Sequence, residues 1–235
     1  METETIDYQH KGCDLEAFIA YDPTKGKRPT ILVFHAWRGR DQFAEEKAKA
    51  LASLGYAGVA FDMYGKGVIG SSPDENAKLM QPFMDDRKFL LSRMEEGIQA
   101  ILKHPMTDKE NLSAIGFCFG GLCALDLARS GADLQGVVSF HGLLNPPSYQ
   151  AKPKARILAL HGYDDPMVDP KMLHDFQEEM TKARADWQVH AYGNTLHAFT
   201  NPAANDPKLG TVYSPVAEKR ALLSMKNFFR EIYQA

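Results

Sequence analysis

The run Gly116-Phe117-Cys118-Phe119-Gly120 constrains this chain more than any other stretch. It is entered from Leu112-Ser113-Ala114-Ile115 and leads into Gly121-Leu122-Cys123-Ala124-Leu125. An apolar strand that runs into Gly-x-nucleophile-x-Gly and then into a helical pattern forms a nucleophile elbow, with its central residue in a strained turn at the top of a sheet. Side chains at the two glycine positions would collide with the neighbouring strand and helix. The central residue here is Cys118. The elbow also sets the Phe119 N–H in the first turn of a helix, where the dipole favours a thiolate or an oxyanion. The competing reading is a buried structural cysteine, because free thiols are usually buried and inert. The order of the surrounding elements favours the functional reading.

Residues 6–9 and 14–21 read as a short antiparallel hairpin turned at Lys11-Gly12. Continuous apolar or β-branched runs at 30–34, 56–63, 136–140 and 156–160, with a last strand at 188–192, suit strands buried in a sheet. Helical periodicity fills the intervals at 41–54, 86–103, 119–130, 171–182 and 216–233. Residues 65–85 hold Gly65, Gly67, Gly70 and Pro73 and then a weak helical pattern, the composition of a long loop leading to a helix. This alternation predicts an α/β fold with a mostly parallel central sheet and helices on both faces. No repeat or linker divides residues 1–235, so one domain is expected.

Composition narrows the functional classes. A net charge of -3 leaves no basic stripe for nucleic acid and no polybasic membrane patch. Three cysteines without a CxxC pair do not make a disulfide framework; Cys13 and Cys123 read as structural, and a free thiol at Cys118 calls for a reducing compartment. No apolar run has the length of a membrane span, and the first residues lack the apolar core of a signal peptide. The expectation is a cytoplasmic protein, a monomer or weak homodimer, acting on a small molecule without a cofactor.

In an open α/β sheet, ligands gather at the carboxyl ends of the strands. After Leu160 comes His161-Gly162-Tyr163-Asp164-Asp165-Pro166, and after Tyr192 comes Gly193-Asn194-Thr195-Leu196-His197. Nucleophile, acid and base therefore follow one another as Cys118, Asp165 and His197. His197 would take the thiol proton and later pass it to the leaving alkoxide, while Asp165 would fix the imidazole tautomer. Asp164 competes for the acid role, and Gly162 three residues before Asp165 favours the latter. The Phe119 and Trp37 N–H groups are the candidate oxyanion donors. His35, His141 and His161 also end strands, but no HExxH or comparable ligand spacing accompanies them, so no metal is expected.

With these residues in place, the sequence resembles the dienelactone hydrolase family of α/β-hydrolases over nearly its whole length. The resemblance is carried by Val33-Phe34-His35-Ala36-Trp37-Arg38-Gly39, Phe61-Asp62-Met63-Tyr64-Gly65, the elbow, His161-Gly162-Tyr163-Asp164-Asp165-Pro166 and Thr195-Leu196-His197-Ala198-Phe199. It implies an α/β-hydrolase fold, a triad at Cys118, Asp165 and His197, and the opening of a cyclic enol ester to a keto acid. Best-known members carry a glutamate after the strand-end His, where this chain has Ala36, and a substrate-binding arginine four residues after the catalytic His, where it has Asn201. Cys118 is then activated by His197 directly or by another group. Candidate substrate-binding residues are Arg87, Arg93, Tyr64 and Asn201, with exposed helical arginines more often solvated charges. The implied function is hydrolysis of small esters or lactones through an acyl-thioester. The alternatives are an acyl-thioesterase-type hydrolase and a redox-sensing thiol protein on the same fold.

Overall fold

Glu2–His10 (β1) and Cys13–Tyr21 (β2) form the expected antiparallel hairpin, with Glu2 opposite Tyr21 and His10 opposite Cys13. Lys11 and Gly12 turn it at positive φ, 49° and 78°. β1 begins earlier than its apolar pattern, because residues 2–5 are exposed on an edge and need no buried face. The computed structural model describes residues 1–233, and their contacts gather into two compact units, Met1–Ile115 and the chain from Gly116 on.

In the first unit, Arg28–Phe34 (β3) pairs in parallel with Ala57–Phe61 (β4), Thr30 facing Ala57 and Phe34 facing Phe61. β2 pairs antiparallel with the other side of β4, and the order continues from β3 to Thr107–Phe117 (β5), whose last two residues open the second unit. Between β3 and β4, Gln42–Ser53 (α1) is capped by Asp41, whose carboxylate accepts from the Ala44 N–H at 3.3 Å. Its Ala44, Ala48, Leu51 and Ala52 are buried. A side chain at Gly58 would lie 2.2 Å from the Ala48 carbonyl oxygen, so this helix can lie on β4 only where β4 has no Cβ. Residues 65–72 lead into Pro73–Asp85 (α2), capped by Ser72. Only Asn76 and Phe83 of α2 are buried, which is why its periodicity is weak in the sequence. Arg87–Ile101 (α3) follows at once, with Asp86 as its cap.

The second unit opens with the end of β5 and Phe119–Arg129 (α4), buried at every position. Gly136–Phe140 (β6), Arg156–Gly162 (β7) and Trp187–Tyr192 (β8) pair in parallel, β7 in the middle. Pro170–Lys182 (α5) and Pro215–Tyr233 (α6) are the remaining helices described. A two-residue ribbon, Asn205–Asp206 (β9) with Thr211–Val212 (β10), was not expected; strands of two residues have no period to detect. The eight long strands make one mostly parallel sheet, as expected. No helix among the described residues is long and apolar enough to cross a membrane.

Candidate active site

Cys118 occupies a backbone conformation that L-residues rarely adopt, φ 55° and ψ -116°. Such a conformation costs about 1–3 kcal/mol and persists only where the surroundings enforce it. Here the Cys118 N–H donates to the Phe140 carbonyl at 3.0 Å, and its own carbonyl accepts from Gly121 N–H at 2.9 Å. A Cβ at Gly116 would lie 1.9 Å from the Gly120 oxygen, and one at Gly121 would lie 2.7 Å from Gly142 Cα. The elbow closes because these positions carry only hydrogen. Cys118 heads α4 without using its side chain as a cap, and the thiol is half-buried. Phe119 is fully buried, with its N–H in the first turn, where no intrahelical acceptor exists.

Asp165 and His197 come from two strand ends that meet over Gly162. A Cβ there would lie 2.6 Å from both the Thr195 and the Leu196 carbonyl oxygens, so the glycine admits the second loop against the first. Asp165, 3% exposed, has its N–H on the Gly162 carbonyl at 3.1 Å. One carboxylate oxygen accepts from Met167 N–H at 2.8 Å, and the other lies 2.7 Å from His197 Nδ1. Asp164 is exposed, and its carboxylate accepts from Thr195 N–H at 3.0 Å. The two adjacent aspartates thus divide the work: Asp164 ties the loops together and Asp165 orients the imidazole.

His197 is 2% exposed and its backbone is held on both sides, N–H to the Gly210 carbonyl at 2.9 Å and carbonyl to Val212 N–H at 3.0 Å. The small ribbon therefore anchors the backbone of His197. Nε2 is buried without a nitrogen or oxygen partner. Burial alone would lower the imidazole pKa. The Cys118 charge, the hydrogen bond to Asp165 and a looser one to the Cys118 sulfur outweigh burial and push it up to about 10. A raised histidine pKa means that the imidazolium is present below that value and lost above it. Iodoacetamide alkylation of Cys118 is therefore expected to be nearly flat from about pH 7 to about pH 9. His197→Gln is expected to restore the titration of an ordinary thiol near about 8.5, with alkylation at neutral pH slowed about tenfold or more. Mass-spectrometric alkylation rates across pH check this, and an unchanged profile in the variant would dissolve the Cys118–His197 pair.

Two other strand-end histidines, His141 and His161, are buried in the same unit. His141 meets His197 edge-on at 5.1 Å, and its Nε2 lies 2.8 Å from Thr200 Oγ1. His161 is buried, and burial pushes its pKa down, the charge on Asp165 partly opposing. The described residues contain no group of three His, Cys, Asp or Glu side chains placed to hold a metal ion.

The other candidates have different surroundings. Asn201 closes its own loop: its side-chain oxygen accepts from Ala203 N–H at 3.0 Å. In the first unit, Tyr64 donates its hydroxyl to the Trp37 carbonyl at 2.9 Å. Arg87 and Arg93 are not exposed helical charges, since only 9% and 4% of their surfaces are accessible. Arg93 donates to His10 Nδ1 at 2.8 Å and to the Met63 carbonyl at 2.9 Å, and its guanidinium lies over the Phe83 and Phe89 rings. It braces β1 against the end of β4. The sequence carries no signal for this, because His10 lies 83 residues away.

A cysteine elbow heading a helix in a mostly parallel sheet, with Asp165 and His197 on the following strand ends, is the arrangement of an α/β-hydrolase fold. The model of the dienelactone hydrolase family matches residues 15–233, and the chain belongs to that family. It is a carboxylic ester hydrolase. A Bradyrhizobium protein named a probable 2-oxo-3-(5-oxofuran-2-ylidene)propanoate lactonase is 30% identical, covering 85% of this chain and 86% of its own. The Pseudomonas putida carboxymethylenebutenolidase is 26% identical, covering 87% and 89%. The crystal structure of a dienelactone hydrolase-like promiscuous phosphotriesterase from metagenomic libraries superposes with a TM-score of 0.92 at 33% identity, covering 98% of each chain.

Proposed function

We propose that the chain hydrolyses small activated esters and lactones through a covalent acyl-thioester on Cys118, with His197 as acid and base and Asp165 as its orienting carboxylate. The observation that carries this reading is the buried 2.7 Å contact between Asp165 and His197 Nδ1, which leaves Nε2 for the sulfur of a cysteine held at φ 55°. The Cys118 thiolate attacks the carbonyl carbon. The oxyanion so formed is met by the Phe119 N–H and, on the sequence assignment, by the Trp37 N–H. As the ester C–O bond breaks, the His197 imidazolium gives its proton to the leaving alkoxide, which in a lactone stays tethered to the acyl group. Neutral His197 then takes a proton from water, the hydroxide attacks the thioester, and the C–S bond breaks to return thiolate, imidazolium and the free acid. Amides are expected to be poor substrates, because the thiolate departs from the tetrahedral intermediate more readily than an amine.

A glutamate beside the thiol is not needed for this cycle. His197 supplies the compensating positive charge itself, so Ala36 is compatible with an active nucleophile. A redox-sensing thiol would require neither the oriented imidazole nor the strained elbow, which favours the hydrolase. The test is intact-mass spectrometry of protein quenched in acid after brief mixing with p-nitrophenyl acetate. Expected is an acetyl adduct on Cys118 that forms quickly and clears, and that is absent in Cys118→Ala. An adduct on another residue, or none, would overturn the thioester reading.

A further inference from the structure

Three residues of the loop that carries His197 close on a single ring of the second unit. His141 follows β6 and is 2% exposed. His197 and Phe199 each meet its ring edge-on at 5.1 Å, and Thr200 Oγ1 lies 2.8 Å from its Nε2. Phe199 and Thr200 are fully buried. Between His197 and Phe199 the chain turns at Ala198 with φ 57°, so the loop keeps a strained residue where it wraps the ring.

The backbone of His141 is fixed as well. It stands at φ 39°, a conformation that histidine, asparagine and aspartate adopt more readily than other side chains. Its N–H donates to the Leu160 carbonyl at 2.8 Å, and the Phe140 carbonyl of the same planar peptide group accepts from the Cys118 N–H at 3.0 Å. A Cβ at Gly142 would lie 2.9 Å from Gly121 Cα, so the residue after His141 rests on the elbow. One residue is thus tied to the nucleophile through its backbone and to His197 through its ring.

The 2.7 Å bond to Asp165 fixes where His197 Nδ1 lies and leaves the plane of the ring free. The Cβ–Cγ torsion of histidine is broad, so packing must limit it. A ring that pivots on Nδ1 carries Nε2 away from the Cys118 sulfur, with which it shares a proton.

We propose that His141 is a positioning residue for His197: its ring, held by Thr200 and by its own strained backbone, limits the pivot of the imidazole and keeps Nε2 on the Cys118 sulfur. The inference rests on the acyl-transfer reading given above. The role requires no proton exchange at His141. It acts on rate because small displacements of a reacting group degrade acyl transfer steeply. The competing role is core filling, in which the ring adds stability and the Cys118–His197 pair stands without it.

His141→Asn separates the two. Asparagine tolerates positive φ, so the backbone bonds to Leu160 and Cys118 are kept while the ring is lost. Cys118, Asp165 and His161, the other titratable groups that bear on His197, stay in place. Acylation of Cys118 by p-nitrophenyl acetate and its alkylation by iodoacetamide from about pH 7 to about pH 9 are measured at a temperature where the variant is fully folded. Expected are acylation about 10–100-fold slower and an alkylation rate that climbs with pH, because a thiolate without a set imidazolium titrates closer to an ordinary thiol. Core filling gives a lower melting temperature with the parent's acylation rate and flat alkylation profile, and that result overturns the proposal. Slower acylation with the flat profile kept also overturns it, since the pair would then be intact without the ring. Should His141→Asn fail to fold, Thr200→Val decides: it removes the bond on Nε2 and keeps the ring, and is expected to acylate about three- to tenfold more slowly with a sloping profile. Parent values in both measurements overturn the proposal. An acetyl adduct in the parent with no loss in the variant overturns this inference alone, whereas no adduct in the parent overturns the acyl-transfer reading and this one with it.

Discussion

Asp165→Asn is expected to lower kcat for p-nitrophenyl acetate by about four orders of magnitude while leaving the melting temperature close to that of the parent. The reason is a tautomer. Asp165 accepts from His197 Nδ1 at 2.7 Å, which leaves Nε2 to exchange a proton with the Cys118 sulfur. An asparagine can keep the bond from Met167 N–H, 2.8 Å long, by retaining an oxygen there. It then turns its NH2 group toward Nδ1, which must become an acceptor, and the ring proton moves to Nε2. In that state the imidazole cannot accept the proton of the attacking water. The negative charge that stabilises the imidazolium is lost in the same change, so alkylation of Cys118 near neutral pH is expected to slow as well. Asp164→Asn is the matched control. Its amide oxygen can still accept from Thr195 N–H, so kcat is expected within about threefold of the parent. Steady-state kinetics of the two variants check the assignment, and a loss below about tenfold in Asp165→Asn would mean that Asp165 does not orient the catalytic imidazole.

The contrast between these adjacent aspartates shows how far the sequence can be read. Strand ends, chain order and Gly162 pointed to Asp165, but the physical reason is different from the one available beforehand. Gly162 is small because the Thr195 and Leu196 carbonyls approach it to 2.6 Å, a contact between segments more than thirty residues apart. The elbow was legible because its constraint is local: Gly116, Cys118 and Gly120 lie within one turn, and a Cβ at the first would strike the last. Arg93 was not legible, because its burial depends on His10, contributed by a distant strand. Helical spacing gives the face on which a residue lies and not the polar group that waits there. The same limit hid the His35 and Tyr64 contacts to the backbone of residues 36 and 37, since backbone carbonyls leave no mark on residue type.

The second large effect is on stability. Arg129, the last residue of α4, is 1% exposed and answers several acceptors at once. Its guanidinium forks onto both carboxylate oxygens of Glu179 on α5 at 2.8 and 2.7 Å, donates to the Leu144 carbonyl at 2.8 Å, and lies 3.4 Å from Asp126, which is fully buried. The Phe176 ring lies 5.7 Å from its centre. Arg129→Ala removes a buried cation together with its bonds to Glu179, the Leu144 carbonyl and Asp126, and breaks the buried charge network from one side. The expected loss is about 3–5 kcal/mol, far more than an exposed ion pair contributes. Arg129→Lys keeps the charge but cannot form the fork, so an intermediate loss is expected. Urea denaturation of the three proteins checks the order, and a loss under about 1 kcal/mol in Arg129→Ala would mean that this network adds little to the stability of the fold. The consequence reaches the site. α4 starts at the strained Cys118 and ends at Arg129, and strain at φ 55° survives only while the helix that follows is held in place. Anchoring α4 to α5 and to the Leu144 loop opposes relaxation of the elbow, so Arg129→Lys should slow Cys118 acylation under conditions where the protein is still fully folded.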